Sequence, residues 1–136
     1  MANLISEREF ITQLELSCKD LQWYSEAEYP LRVLYWRDLD NFTPSYLLER
    51  HNYPEDTKIA IKELNTFFSS VTKQEPWHNQ AEQLEVQRYR QLKDLLDEHL
   101  TELKVYLLGE VEIDVYILGK TLSQAIAGIE TKIVRT

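Results

Sequence analysis

The chain has 136 residues, which is enough for one domain with a substantial hydrophobic core. Apolar residues make up 43% of it and charged residues 28%, with only three Gly and four Pro, a composition typical of a folded domain. The net charge of −8 disfavours direct binding to nucleic acids or anionic membranes, because both require a basic surface. The same charge suits docking onto a basic partner, and the first 56 residues carry 11 acids against 5 bases.

The sequence contains no apolar run near the roughly 20 residues that cross a bilayer. Its N-terminus has neither the basic flank nor the apolar core of a signal peptide, and its single cysteine, Cys18, suits a reducing compartment. These features predict a cytoplasmic protein with one domain over residues 1–136.

A helix is predicted after Ser6, because Ser6 and Glu9 match a capping box. Its apolar face repeats at spacings of four, four and three, in Phe10, Leu14, Cys18 and Leu21. Cys18 lies on that face without a basic neighbour on the same side, so we interpret it as a core residue and not as a nucleophile.

The next segment, residues 23–30, combines aromatic and acidic side chains and ends in Pro30. Proline disfavours helix in the residue before it, so the segment predicts a loop that leads into a strand over residues 31–36. This interpretation places Glu26 and Glu28 on a loop between a helix and a strand, where functional residues concentrate.

The middle of the chain alternates short helices and strands. Thr43 and Pro44 predict the start of a helix that ends near Arg50, and residues 58–62 alternate as a strand does. Asn65 predicts the cap of a further short helix, and residues 72–79 predict a loop that carries Trp77. Trp77 is either a cover for the core or an anchor for a partner.

A long helix is predicted over residues 80–103. Its apolar stripe consists of Leu84, Leu92, Leu95, Leu96, Leu100 and Leu103. The run of heptads is too short for a coiled coil, so the helix is expected to cover a sheet.

The C-terminal third has the strongest strand pattern. Val or Ile occupies every second position from Val111 to Ile117, which predicts a strand with one core face and one polar face. Gly109 indicates a bend, and Gly119 and the pair at 127–128 indicate turns. Helices before and between strands that are close in sequence predict an α+β fold with an antiparallel or mixed sheet.

Catalytic motifs are absent from the sequence: it has no phosphate-binding glycine loop, zinc-protease helix, paired-cysteine motif or nucleophile elbow. The histidines His51, His78 and His99 lack the spacing of metal ligands. Glu26 and Glu28 resemble a glycosidase acid and base only in being paired carboxylates, and no other residues build a sugar cleft. The sequence therefore favours a protein that is not an enzyme.

Glu26 and Thr136 are candidate binding residues, although a C-terminal residue is in most proteins simply the end of the chain. A carboxylate flanked by aromatic rings such as Trp23 can hold a partner's arginine, although a solvated loop explains the same residues equally well. Thr136, the last residue of the sequence, offers carboxylate and hydroxyl oxygens, which suit Mg²⁺. The chain alone has too few ligands for a metal, so the ion would be one that a partner holds.

Three stretches resemble the cyanobacterial nuclease A inhibitor family. The sequence has Ser25-Glu-x-Glu-Tyr-Pro30 after the first helix and Trp77 in the mid-chain loop. It also has Leu108-Gly-Glu-Val-Glu-Ile-Asp-Val-Tyr-Ile-Leu-Gly119, followed by Ile126-Ala-Gly-x-x-Thr-Lys-x-Val-x-Thr136. The resemblance covers nearly the whole chain and is weakest over residues 37–60.

The resemblance implies an α/β/α sandwich, with a mostly antiparallel sheet flanked by helices, similar to the plant pathogenesis-related PR-1 proteins. It implies a monomer without a cofactor that binds a Mg²⁺-dependent, sugar-non-specific nuclease in a 1:1 complex and occludes its active-site cleft. Glu26 would pair with an arginine, Trp77 would pack on the rim of the cleft, and Thr136 would reach the nuclease's Mg²⁺. Glu28 and Trp23 would support the same contact.

Two departures separate the chain from the family pattern. The family has an acidic run after the loop tryptophan, where this chain has His78-Asn-Gln-Ala81, and an acid before the final threonine, where this chain has Arg135. Both departures reduce attraction to a basic cleft. An alternative interpretation is therefore a paralogous interaction module that has the same fold and a different protein partner.

Overall fold

A computed structural model describes residues 5–24, 26–39 and 42–135. The described helices are α1 (Glu7–Cys18), α2 (Pro44–Arg50), α3 (Leu64–Phe68) and α4 (Gln80–His99). The described strands are β1 (Gln22–Tyr24), β2 (Glu28–Pro30), β3 (Arg32–Trp36), β4 (Ile59–Lys62), β5 (Thr101–Leu108), β6 (Glu112–Lys120) and β7 (Ile126–Val134).

The central sheet has five strands in the order β3-β7-β6-β5-β4, and every neighbouring pair is antiparallel. Short turns join β5 to β6 and β6 to β7, and a segment with α3 and α4 joins β4 to β5. The segment with α2 connects β3 at one edge of the sheet to β4 at the other. Strands β1 and β2 form a separate two-stranded hairpin outside this sheet. The prediction of an α+β fold with antiparallel strands is confirmed, and the likeness to PR-1 proteins stays a prediction.

Both faces of the sheet are buried. Ile113, Val115 and Ile117 point to the face covered by α1, α3 and α4, as their alternation predicts. The prediction that the opposite face stays polar is wrong: Tyr116 is 1% exposed and belongs to a second core. Helix α2 covers that face, and Leu47 and Leu48 are among its buried residues.

Glycine positions in the central strands differ from the sequence prediction. Gly109 does lie in the turn between β5 and β6, with φ of +107°. The predicted turns at Gly119 and at 127–128 are wrong, because these residues lie inside β6 and β7. A Cβ on Gly128 would lie 1.7 Å from the Ile117 carbonyl oxygen, so glycine allows close approach of two central strands here.

Helix α1 begins as predicted, with the Ser6 hydroxyl accepting from the Glu9 amide at 3.1 Å. It ends at Cys18, so the buried Leu21 lies in extended chain and not on the helical face. The N-cap position of helix α3 is Glu63, which makes no side-chain capping bond, and the predicted cap, Asn65, lies within the helix.

Helix α4 begins at the predicted residue, with a capping box formed by Asn79 and Glu82. It ends at His99, four residues earlier than predicted. Leu100 is already extended, and a bulge between Thr101 and Lys104 includes Glu102 at φ +52°. The buried helical residues are Val86, Tyr89, Leu92 and Leu96. Leu84, predicted to lie on this stripe, is exposed.

The Gly128→Ala substitution tests the close approach of β6 and β7. We expect it to lower the free energy of unfolding by on the order of 3 kcal/mol, because the added methyl group overlaps the Ile117 carbonyl and the strands must separate. Chemical denaturation with a fitted midpoint and slope measures this loss. A midpoint equal to that of the unsubstituted protein would show that the two strands have room for a side chain.

Candidate functional site at the hairpin tip

Residues 23–30, predicted as a loop, form most of a β-hairpin. Trp23 lies opposite Tyr29 and Tyr24 lies opposite Glu28, so the acidic motif is held by strand pairing. Glu26 lies in the tip of the hairpin and Glu28 in its second strand, and both side chains are exposed. The extended conformation expected before Pro30 is confirmed, but the pairing of two three-residue strands leaves no strong sequence signal.

Trp23 attaches the hairpin to the core. Its ring is 7% exposed, stacks on Phe67 with centroids 4.5 Å apart, and meets the Tyr89 ring edge-on at 5.7 Å. Through these contacts Trp23 holds the hairpin against the core. Its predicted contact with a partner stays a prediction, and its burial does not support a large share of the contact area.

Strand β7 holds the other side of the hairpin. The Thr131 hydroxyl donates to the carbonyl oxygen of Pro30 at 3.0 Å and to that of Tyr29 at 3.5 Å. At the hairpin tip, the Glu26 amide donates to the Val134 carbonyl oxygen at 3.5 Å. Glu26 is therefore located beside the C-terminal end of β7.

The end of β7 is also held from the side of β6. The Arg135 amide donates to the Val111 carbonyl oxygen at 2.8 Å, one residue beyond the strand itself. The chain is thus hydrogen-bonded up to its last described residue. Thr136, predicted to reach a partner's metal, lies outside the described residues.

Helix α4 fixes the start of the hairpin. The Tyr89 hydroxyl donates to the Gln22 carbonyl oxygen at 2.5 Å, and burial raises the pKa of Tyr89, which keeps this donor protonated. The Arg88 guanidinium donates to the carbonyl oxygens of Ser17, at 3.1 Å, and Lys19, just before β1. The base of the hairpin is therefore attached to both α4 and β7.

The hairpin tip and the N-terminal end of α4 point the same way. Tyr89 contacts the first residue of β1, and Glu85, one turn earlier in α4, raises the pKa of Tyr24 at the other end of β1. Glu28 raises the same pKa more weakly. Burial, followed by repulsion from Glu82 and Glu28, raises the pKa of Glu85 against the effect of Arg88. This edge of the molecule is accordingly rich in negative charge.

Trp77 lies in the loop that enters α4 from this end. Its side chain is 73% exposed and meets the His78 ring edge-on at 6.0 Å. The loop is ordered by local hydrogen bonds, since His78 Nδ1 accepts from the Glu75 amide at 3.1 Å and Asn79 caps the helix. Of the two interpretations left open for Trp77, its exposure favours the anchor over the cover of the core.

The described residues contain no group of three or more potential metal ligands from His, Cys, Asp and Glu. His51 packs near Tyr116 and His99 stacks on Phe10, with centroids 5.4 Å and 4.9 Å apart. Burial raises the pKa of the Cys18 thiol to about 12, which suits a core residue. None of the helices in the described part of the chain combines the length and apolarity needed to cross a membrane.

Sequence reasoning missed Thr131, Tyr24 and Glu85. Thr131 occupies an inward position of β7, and a threonine in a strand is ordinary, so its bonds to the hairpin have no signal in the pattern. Glu85 resembles any solvated residue of a charged helix. Glu85 differs from other exposed helix residues only because it raises the pKa of Tyr24 in the hairpin.

The Thr131→Val substitution tests the attachment of the hairpin to β7. Valine keeps the shape of threonine but removes the donor, so the Pro30 carbonyl oxygen, the nearer acceptor of the single hydroxyl hydrogen, loses its partner. We expect the unfolding free energy to fall by about 1 kcal/mol and amide exchange in residues 22–30 to accelerate. Thr131→Ser keeps the hydroxyl and is the control. Equal exchange rates in both variants would contradict the assigned role.

The sequence was also compared with families and with characterised proteins. A family model described as "Nuclease A inhibitor-like protein" matches residues 8–136, which include the hairpin, the Trp77 loop and all of β7. A search of curated proteins returns no significant match. Because the family match covers nearly the whole chain, the chain belongs to the nuclease A inhibitor-like family.

Proposed function

We propose that this protein inhibits a metal-dependent, sugar-non-specific nuclease by occluding its active-site cleft, and that it has no catalytic activity of its own. The observation that carries the proposal is the family match over residues 8–136. The bond from the Glu26 amide to the Val134 carbonyl oxygen supports the mechanism, because it holds one predicted contact residue beside the C-terminal end of β7. The net charge of −8 favours fast association with a basic cleft.

In this mechanism Glu26 accepts hydrogen bonds from an arginine of the nuclease, and the exposed Glu28 adds negative charge beside it. Trp77 packs on the rim of the cleft as an aromatic anchor. Trp23 supports the hairpin from the core, through the stacking on Phe67. This attachment of the hairpin to the core matters because a contact surface that is already ordered loses less conformational entropy on binding.

Thr136 completes the mechanism. Its carboxylate and hydroxyl oxygens would enter the coordination sphere of the Mg²⁺ that the nuclease holds, and so exclude substrate. The hydrogen bond from the Arg135 amide to the Val111 carbonyl oxygen supports this role, because it holds Arg135, the residue before Thr136, in line with β7. We propose further that the protein acts in the cytoplasm, as a monomer in a 1:1 complex, and without a cofactor.

A second candidate function is binding to a different protein through the same surface. Arg135 favours this candidate, because a cation follows Val134, whose carbonyl oxygen accepts from the Glu26 amide, where the family resemblance leads us to expect an acid. Titration of a Mg²⁺-dependent nuclease of this type separates the two functions. Absence of inhibition at roughly micromolar protein, a modest affinity, would favour the other partner.

The Glu26→Ala substitution tests the arginine contact. We expect inhibition of the nuclease to weaken by roughly tenfold or more at low salt, because a charge-assisted hydrogen bond and local steering are both lost. The difference should shrink in high salt, where screening reduces steering for the unsubstituted protein too. The matched control is Glu98→Ala, an exposed glutamate near the C-terminal end of α4. Equal losses in both variants would show that only net charge matters.

Addition of one glycine after Thr136 tests the contact with the metal. The extension moves the carboxylate away from the threonine hydroxyl, so we expect a large loss of inhibition in an assay of DNA cleavage with Mg²⁺. Removal of Thr136 should have a similar effect. Thermal unfolding of all three proteins serves as the control for folding. Full inhibition by the extended chain, at an unchanged inhibition constant, would rule out the metal contact.

A further inference from the structure

Val111 continues the core-facing alternation of β6 in the sequence, but its side chain is exposed in the structure. Ile113, Val115 and Ile117 are buried, whereas Val111 is 52% exposed. Strand β6 begins at Glu112, so Val111 is the last residue of the β5–β6 turn (residues 109–111). The packing of the core therefore does not explain why an apolar residue occupies this position.

The end of β7 lies between the β5–β6 turn and the hairpin tip. The Val111 carbonyl oxygen accepts from the Arg135 amide at 2.8 Å, and Glu112 is opposite Val134 in the strand register. The Val134 carbonyl oxygen in turn accepts from the Glu26 amide at 3.5 Å. Successive residues of an antiparallel strand direct their backbone groups to opposite edges, so these two hydrogen bonds lie on opposite edges of β7.

The β5–β6 turn carries the same sign of charge as the hairpin tip. Glu110 and Glu112, on either side of Val111, are exposed, as Glu26 is, and Arg135 adds one positive charge beside them. Neither Glu110 nor Glu112 forms an ion pair with another described residue. Single exposed apolar residues are common, but an apolar residue bordered by acids and adjoining a proposed contact point has the composition of an interface.

A protein that covers the end of the chain must also approach this turn. Thr136 directly follows Arg135, whose backbone is hydrogen-bonded to Val111. An interface of ordinary size buries about 800 Å² on each partner, which is far more than one terminal residue provides. Contact with Thr136 and with Glu26 therefore brings the same partner close to Val111.

We propose that Val111 is a further contact residue, and that it packs against the aliphatic stem of a lysine or arginine on the rim of the nuclease's cleft. The charged end of that side chain meets the carboxylate of Glu110 or Glu112. The β5–β6 turn and the hairpin tip are then the two sides of the surface that enters the cleft. This inference rests on the proposed function, because it takes the nuclease as the partner.

The Val111→Cys substitution places a reactive thiol at the proposed contact. Cys18, the single native cysteine, is 5% exposed, so a maleimide should modify the folded variant at position 111. We expect a saturating amount of the Mg²⁺-loaded nuclease to slow this modification by roughly tenfold or more, because the rim of the cleft covers the thiol. Modification before mixing should in turn weaken inhibition by on the order of tenfold, since the added group is bulky.

The control is Leu122→Cys, because Leu122 is 86% exposed in the turn after β6, at the opposite end of that strand. The nuclease should change neither its rate of modification nor the inhibition by the modified protein. If the unsubstituted protein inhibits and Glu26→Ala weakens inhibition, while the thiol at position 111 reacts equally fast with and without nuclease, the inference is overturned and the proposed function stands. If the unsubstituted protein does not inhibit, both fall. Equal slowing at positions 111 and 122 would also overturn the inference, because the protection would not be specific to the turn.

Discussion

The attachment of the hairpin to β7 is the constraint on which the proposed contact surface depends. Strand β7 pairs with β3 on one side and β6 on the other, so it cannot shift without disturbing the centre of the sheet. The Thr131 hydroxyl and the Glu26 amide transfer this rigidity to the hairpin, at its base and at its tip. An acidic tip and a strand end that belong to different parts of the sequence are thereby held at one fixed separation.

Burial on both faces explains why the sheet is a firm support. One core lies beneath α1, α3 and α4, and the other lies beneath α2. Gly128 permits the close approach of β6 and β7, because any side chain there would overlap the Ile117 carbonyl. A support of this kind lets a few exposed side chains act without a loss of order on binding. A small loss of conformational entropy on binding suits an inhibitor, because an inhibitor occupies a cleft without having to change shape.

The sequence predicts regular elements better than it predicts the site. The Ser6 capping box located the start of α1, and alternation located the inward face of β6, because both signals are local. Leu84 and Tyr116 were misplaced because burial depends on elements distant in the chain: Leu84 is exposed on α4, and Tyr116 lies in the core beneath α2. The family resemblance singled out Glu26 and Trp77, whose contact with a partner stays a prediction. The role of Thr131 required the hydrogen bond itself, since its sequence context is that of any strand threonine.

In the proposed complex, the hairpin tip, the end of β7 and the N-terminal part of α4 form one surface that the nuclease covers. Amide hydrogen exchange of the protein, alone and in complex with a Mg²⁺-dependent nuclease of this type, tests the claim most directly. We expect slower exchange in the complex for the amides of residues 24–28, 77–85 and 132–135, with no change in the turn at residues 121–125. Protection of that turn or of α2, with the hairpin tip unaffected, would contradict it.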